Sequence, residues 1–304
     1  MRIAIVGLGG VGGFIGARLA AAYTGIHDII FFARGDHAKA IQSSGLKLQT
    51  HQGEIVARPL RVTQHAEEAG LLDFIICCVK SYDLETAMEP LRPCVHDTTM
   101  ILPLLNGVDA AERLDKFFPG ADVLDGCIYI VARLTGPGIV KVSGTTHLMH
   151  FGDRKGDAAR LQPIEMLLKT AGIETHLSSN IQQTMWEKFL FISPIATLTS
   201  YLDRCLGEIL SREDDKKQLV GLMTELKIIT GAKRIVLSDN IMDKHLAKMA
   251  TLPYDTTSSM HSDFKKGGRT EIDSLTGYVV TLGKELGIPT PLYQAMFEKL
   301  SAKK

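Results

Sequence analysis

The first residues of the chain alternate between short apolar runs and apolar positions at helical spacing. Residues 2–6 form an apolar, β-branched run, residues 11–23 place apolar side chains at helical intervals, and residues 28–33 form a second apolar run. This pattern predicts a strand, a glycine turn, a helix and a second strand. The chain therefore opens with a predicted βαβ unit.

Further apolar runs continue the α/β pattern up to about residue 177. Strands are predicted at 46–50 and 54–62, forming a hairpin around Gln52-Gly53, and at 74–79, 99–105, 123–132, 139–142, 147–151 and 173–177. The continuous apolar runs at 74–79 and 99–105 are typical of strands buried in a parallel sheet.

Helical spacing dominates the remainder of the chain. Helices are predicted at 181–201, 205–210, 214–235, 241–252 and 271–286. The change of pattern predicts an α/β protein of two domains, a Rossmann-type doubly wound parallel sheet at 1–178 and an all-helical domain at 179–304.

Charge and composition restrict the class of protein. The chain has 34 Lys+Arg and 34 Asp+Glu, so zero net charge disfavours nucleic acid or a membrane surface as its partner. A hydrophobic content of 45% is enough for large cores and excludes disorder as the main state. Since no apolar run reaches the roughly 18 residues of a membrane span, we expect a soluble protein.

The cysteines indicate a reducing compartment. They are odd in number, form no C-x-x-C pair and have no histidine at zinc-ligand spacing: Cys77, Cys78, Cys94, Cys127 and Cys205. We expect reduced, mostly buried thiols in a cytoplasmic protein, and no metal site.

A glycine motif lies between the first predicted strand and helix. It reads G-x-G-x-x-G, and in this position it is typical of a dinucleotide-binding loop, with the pyrophosphate at the helix N-terminus. The alternative is a glycine-rich turn without a ligand. The residues expected to bind the cofactor here are Gly7, Leu8, Gly9, Gly10, Val11 and Gly12.

The end of the second predicted strand indicates which cofactor is bound. An NAD site usually has Asp or Glu there, whereas this chain has Arg34. A guanidinium pairs bidentately with a 2′-phosphate, so the sequence favours NADP, with His37 and Lys39 as minor contributors. The alternative is an exposed surface arginine.

Polar residues also follow the next two buried strands. Lys80 follows the run at 74–79, and Asn106-Gly107 follows the run at 99–105. Ligands bind at such strand ends in open α/β sheets. These segments resemble the ketopantoate reductase (2-dehydropantoate 2-reductase) family, over essentially the whole chain from Met1 to about Pro291. The resemblance also rests on the glycine loop, Ala33-Arg34-Gly35-Asp36-His37, Trp186-Glu187-Lys188-Phe189-Leu190 and Thr270-Glu271-Ile272-Asp273.

The resemblance implies an enzyme with a Rossmann domain, a helical domain and a substrate cleft. Its reaction would be the NADPH-dependent reduction of ketopantoate to pantoate, in pantothenate and coenzyme A biosynthesis. Lys188 would donate the proton to the carbonyl oxygen, Asn106 would lie beside the nicotinamide and the reacting carbon, and Lys80 would contact the cofactor. Glu271 and Ser259 would hold the hydroxyl and carboxylate end of the substrate, with Glu271 also near the cofactor.

Each of these residues also has a purely structural interpretation. Lys188 could be a solvated helix residue, and Asn106 could be a turn former because Asn-Gly is a frequent turn dipeptide. Glu271 could interact with a helix dipole, and Ser259 could be an ordinary polar loop residue.

The chain departs from the family pattern at two positions. The family has asparagines four and eight residues after the lysine, where this chain has Ile192 and Ala196. The pocket is then either more apolar on that side or uses neighbouring hydroxyls, from Ser193, Thr197 or Thr199. Ketopantoate and another small 2-keto acid both stay open as the substrate.

Two further functions are open. One is a β-hydroxyacid or opine-type dehydrogenase, and the other is a catalytically silent NADP-binding redox sensor. The presence of Lys188, Asn106 and Glu271 together argues against the sensor, because a sensor needs only the glycine loop and Arg34. We expect a monomer or a homodimer.

Overall fold

The contacts of the chain divide it into two units in the computed structural model, which describes residues 1–154 and 159–303. Unit 1 contains Met1–Leu105 and Asp109–Ile181, and unit 2 contains Asn106–Val108 and Gln182–Lys304. The short segment Asn106–Val108 thus groups with unit 2 although the chain on both sides of it belongs to unit 1.

A six-stranded parallel sheet forms the framework of unit 1. Its strands are β1 (Arg2–Val6), β2 (Asp28–Phe32), β5 (Arg61–Thr63), β6 (Phe74–Cys77), β7 (Met100–Pro103) and β8 (Asp122–Val123). Their order is β5-β2-β1-β6-β7-β8, so the chain winds outward from β1 in both directions. The predicted Rossmann-type parallel sheet is confirmed.

A second, mixed sheet was not expected as a separate layer. It contains β3 (Leu46–Thr50), β4 (Gly53–Ala57), β9 (Asp125–Gly136), β10 (Ile139–Gly152) and β11 (Glu174–Leu177). The order is β11-β10-β3-β4, and β9 pairs antiparallel with β10.

Several strand predictions were wrong in their bounds. The run at 123–132 is divided between β8 of the parallel sheet and β9 of the mixed sheet. The run at 54–62 is two strands in different sheets, because Pro59 lies between β4 and β5 and proline cannot donate to a sheet ladder. The runs at 139–142 and 147–151 are one strand, β10, with a register shift between Ser143 and His147.

The described residues of unit 1 form five α-helices: α1 (Gly10–Ala22), α2 (Gly35–Ser44), α3 (Leu84–Met88), α4 (Ala110–Phe117) and α5 (Gln162–Thr170). Helix α1 packs against strands of both sheets, and most of its residues between Gly12 and Ala20 are buried. An added Cβ would lie 2.1 Å from the Ala132 carbonyl oxygen of β9 at Gly10, and 2.5 Å from Val140 of β10 at Gly13. Glycine therefore allows the helix backbone to contact the strands directly.

Helices form unit 2: α6 (Ile181–Leu202, whose first residue groups with unit 1), α7 (Leu206–Ser211), α8 (Glu213–Ala232), α9 (Ile241–Ala250), α10 (Ser259–Lys265), α11 (Tyr278–Leu286) and α12 (Pro291–Ser301). The predicted helical domain is confirmed. The predicted helix at 271–286 is helical from residue 272, and it begins with a π-helical turn, Asp273–Gly277, that continues into α11.

The five cysteines have free thiols, and Cys77, Cys94 and Cys127 are buried. Burial raises the pKa of Cys77 to about 12 and the pKa of Cys78 well above its usual range. Within residues 1–154 and 159–303, no helix has both the length and the apolar character to span a membrane. The same residues contain no cluster of three His, Cys, Asp or Glu side chains suited to a metal ion.

Candidate functional site

The glycine loop turns sharply from β1 into α1 and leaves one side open. Gly7 has a φ of +89°, and a Cβ there would lie 2.7 Å from Val79. A Cβ on Gly12 would lie 2.0 Å from the Gly7 carbonyl oxygen, whereas a Cβ on Gly9 would have no atom within 4 Å. The backbone at Gly9 is therefore accessible to a ligand while the rest of the loop is held tightly.

The N-terminus of α1 has the features of an anion site. Gly9 is the N-cap residue, no side chain among the described residues caps the helix, and its first turn has no acidic residue. Amide N–H groups in the first turn have no intrahelical acceptor, and the helix dipole favours negative charge there. Leu8 is buried and Val11 packs against the core, so these two residues present backbone rather than side chains to a ligand. The loop thus fits a dinucleotide pyrophosphate.

Arg34 and Lys80 follow two strands that flank β1. Arg34 is exposed at the N-cap of α2, and Lys80 is partly buried after β6. The segment after Lys80 is held by Arg113, which donates to the Ser81 carbonyl oxygen at 2.9 Å and twice to the Glu85 carboxylate at 2.7 Å. Arg113 was missed in the sequence because no local motif distinguishes a supporting arginine.

His37 does not have the position expected of a phosphate-binding group. Its Nε2 lies 2.9 Å from the Leu8 carbonyl oxygen, and its Nδ1 accepts a hydrogen bond from the Gly138 amide at 2.9 Å. Burial lowers the pKa of His37, and the bond to the Leu8 carbonyl opposes that effect. Both ring nitrogens are therefore engaged by the protein, which corrects the expectation that His37 helps to bind a 2′-phosphate.

In unit 2 a lysine and an amide lie in direct contact. Lys188, on α6, is only 6% exposed, and its Nζ donates to Oδ1 of Asn106 at 3.3 Å. Asn106 is partly buried and precedes Gly107, whose φ is +121°. A buried ammonium oriented by a neutral amide can donate a proton to an oxygen that gains negative charge.

Two other predicted site residues belong to the same unit. Glu271 is 3% exposed and lies two residues before the π-helical turn, a feature that is frequent at functional sites. Ser259 is exposed in the first turn of α10, and the neighbouring Ser258 caps that helix by accepting a bond from the His261 amide.

The hydroxyls that could replace the family's asparagines are turned into the helical core. Ser193, Thr197 and Thr199 are each 0% exposed. Ser193 donates to the Leu275 carbonyl oxygen at 2.6 Å, and Thr197 bonds to Thr276 at 2.8 Å. Thr199 donates to the carbonyl oxygen of Ile195, one turn earlier. Ile192 and Ala196 are thus left without polar substitutes from these three residues.

Family comparisons cover both units. A family profile described as "Ketopantoate reductase PanE/ApbA" matches residues 3–156, and its C-terminal counterpart, "Ketopantoate reductase PanE/ApbA C terminal", matches residues 180–304.

Individual relatives are similar over nearly the full chain. The uncharacterized oxidoreductase YkpB of Bacillus subtilis (strain 168) is 28% identical over 99% of this chain and 98% of its own length. The crystal structure of 2-dehydropantoate 2-reductase from Porphyromonas gingivalis W83 is 34% identical, with a TM-score of 0.84 and 99% of each chain covered. A ternary structure of D-mandelate dehydrogenase with NADH and anilino(oxo)acetate has a TM-score of 0.89 over 100% of this chain and 98% of its own. At 24% identity, that last likeness shows the fold alone.

The glycine loop allows binding and stability to be separated. Gly9→Ala should leave the unfolding free energy within about 0.5 kcal/mol of wild type, because the methyl group meets no atom, but should weaken dinucleotide binding about tenfold or more by occupying the open side. Gly12→Ala should lower the unfolding free energy by about 1–3 kcal/mol, because its methyl group meets the Gly7 carbonyl. Denaturant unfolding and NADPH fluorescence titration measure the two effects. Equal stability loss in both variants would contradict this prediction.

Proposed function

The chain belongs to the ketopantoate reductase family, and from this premise we propose that it reduces 2-dehydropantoate to pantoate with NADPH. The main support is the hydrogen bond between Lys188 and Asn106, because it presents a buried proton donor with its ammonium already oriented. The 34% identical relative from Porphyromonas gingivalis, which bears the name of this activity, supports the choice of substrate.

The cofactor would be held by the residues of unit 1. The amides of the first turn of α1 would bind the pyrophosphate at Gly9, and Lys80 would add positive charge. Arg34 would pair with the 2′-phosphate through its guanidinium, which is exposed at the N-cap of α2. When bound, NADPH supplies the hydride that reduces the keto carbon.

The residues of unit 2 would stabilise the negative charge on the carbonyl oxygen and supply the proton to it. As the keto carbon gains hydride, the carbonyl oxygen becomes negative, and the Lys188 ammonium stabilises it and transfers one proton to it. The products are the alcohol, NADP⁺ and a neutral lysine amine, which regains its proton from solvent. Asn106 orients the Lys188 Nζ through its Oδ1, and Glu271 and Ser259 would bind the hydroxyl and carboxylate of the substrate.

A second candidate function is reduction of a 2-keto acid with an apolar side chain. Ile192 and Ala196 lie one and two helical turns after Lys188 on α6, and neither can hydrogen-bond a substrate hydroxyl. The hydroxyls beside them are bonded inside the helical core. An apolar wall would favour an apolar substrate tail.

We also propose the cytoplasm as the location, because the free thiols of the five cysteines fit a reducing compartment. Pantoate, the product, is a precursor of pantothenate, and this would be the pathway served.

Steady-state oxidation of NADPH tests the substrate. The panel contains 2-dehydropantoate, pyruvate, branched 2-keto acids and phenylglyoxylate, each with NADPH and with NADH. We expect the highest kcat/KM with 2-dehydropantoate and NADPH. A preference for an apolar keto acid would support the second candidate, and cofactor binding without turnover on any member would support a redox sensor.

Removing the proton donor should abolish turnover without loss of cofactor. Lys188→Ala and Lys188→Met should lower kcat by about a hundredfold or more, because proton transfer by a side chain accelerates the reaction by a factor on the order of 10²–10⁴. Both variants should keep the NADPH dissociation constant within about twofold of wild type. Methionine keeps the packing of this buried side chain, and Lys227→Ala, at an exposed position of α8, is the matched control. Near-normal kcat in Lys188→Met would refute the assigned role.

Arg34 should set the preference for NADPH. Arg34→Ala should weaken NADPH binding about ten- to a hundredfold, the loss of one charge-assisted pair, and leave NADH binding nearly unchanged. The exposed Arg58→Ala is the control. Fluorescence titration with both nucleotides measures this, and an equal loss for the two would show that Arg34 does not bind the 2′-phosphate.

A further inference from the structure

The imidazole of His37 joins three segments of unit 1. His37 lies in the first turn of α2, Leu8 lies in the glycine loop, and Gly138 lies in the turn between β9 and β10. Both bonds are 2.9 Å long. One side chain therefore connects the loop that would bind the pyrophosphate with the helix that carries Arg34.

The partners determine which nitrogen carries the proton. The Gly138 amide can only donate, so Nδ1 of His37 must be unprotonated and accept. Nε2 then carries the hydrogen and donates it to the Leu8 carbonyl oxygen, which can only accept. The neutral ring makes one bond in each direction.

The bond to Leu8 acts on the amide expected to face the ligand. The Leu8 carbonyl and the Gly9 N–H belong to one planar peptide unit and point in opposite directions. Fixing the carbonyl toward His37 therefore fixes the direction of the Gly9 N–H.

The same side chain restrains the turn that carries Arg34. Arg34 precedes His37 by three residues, and its carbonyl oxygen accepts the bond from the Ala38 amide that begins α2. Gly35, with a φ of +59°, allows the chain to leave β2 and enter this helix. The 2′-phosphate and the pyrophosphate are parts of one ligand, so the spacing between Arg34 and the loop decides whether both are bound together.

We propose that His37 is a positioning residue that holds the phosphate-binding loop and the Arg34 turn in register, and thereby sets both the affinity for NADPH and its preference over NADH. This inference rests on the proposed function for the identity of the nucleotide. His37 acts through Leu8 and Arg34, and its own ring contacts neither phosphate.

Two substitutions distinguish the effect of the hydrogen bonds of the His37 ring from the effect of its volume. His37→Phe keeps a planar ring without the hydrogen bonds, and His37→Gln keeps one acceptor and one donor. His51→Ala, at an exposed position in the β3–β4 turn, is the control. Titration with NADPH and NADH, kinetics at saturating NADPH and thermal unfolding are measured for each variant.

The expected result is a loss of affinity for the cofactor without a change in turnover. His37→Phe should raise the NADPH dissociation constant about tenfold and the NADH constant about threefold, since only NADPH uses both restrained segments. Its kcat at saturating NADPH and its KM for the keto acid should stay within twofold of wild type, and His37→Gln should recover part of the loss.

Several outcomes would overturn the inference. NADPH affinity within twofold of wild type in His37→Phe, or equal losses for NADPH and NADH, would refute it while leaving the proposed function intact. No recovery in a folded His37→Gln would also count against the role of the hydrogen bonds. Failure of the wild-type protein to bind either nucleotide would instead overturn the proposed function, and this inference with it.

Discussion

The direct contact between the backbone of α1 and the strands around it is the constraint on which unit 1 depends. At Gly10 a methyl group would lie 2.1 Å from a carbonyl oxygen of β9, so the helix start is fixed by main-chain atoms rather than by adjustable side chains. The direction of the first-turn amides follows from this contact. The same β9–β10 hairpin that supports α1 also supplies Gly138 to His37, so one element restrains both the helix and the loop before it.

In unit 2, buried hydroxyls connect α6 to the π-helical turn. Ser193 and Thr197 on α6 bond to Leu275 and Thr276 in the π-helical turn. Since α6 also carries Lys188, the helix that presents the ammonium is locked to the segment that follows Glu271. Because these hydroxyls bond within the helical core, they are not available to a substrate. The two turns of α6 after Lys188 then offer Ile192 and Ala196 instead.

The sequence was most informative where local pattern and local structure coincide. The βαβ opening, the glycine loop and the helical character after residue 181 follow from periodicity and motif, and the structure confirms the fold class. Pro59 marks the break within 54–62, but the assignment of its two parts to different sheets could not be predicted, because pairing partners depend on distant strands. The inward direction of Ser193 and the π-helical turn depend on tertiary packing in the same way. The pair of hydrogen bonds made by the His37 ring could not be predicted either, because one of them comes from Gly138, which lies 101 residues away in the chain.

The grouping of Asn106–Val108 with the helices has a consequence for how this chemistry can be inherited. The lysine and its amide partner are separated by 82 positions in the chain, and between them the chain returns to unit 1 and then leaves it again. A gene fragment encoding residues 182–304 would carry the acid without its amide, and one encoding residues 1–105 would carry the loop without either. Shuffling of contiguous gene segments such as these would therefore separate the pair, so the two parts of this chain are expected to evolve as one gene.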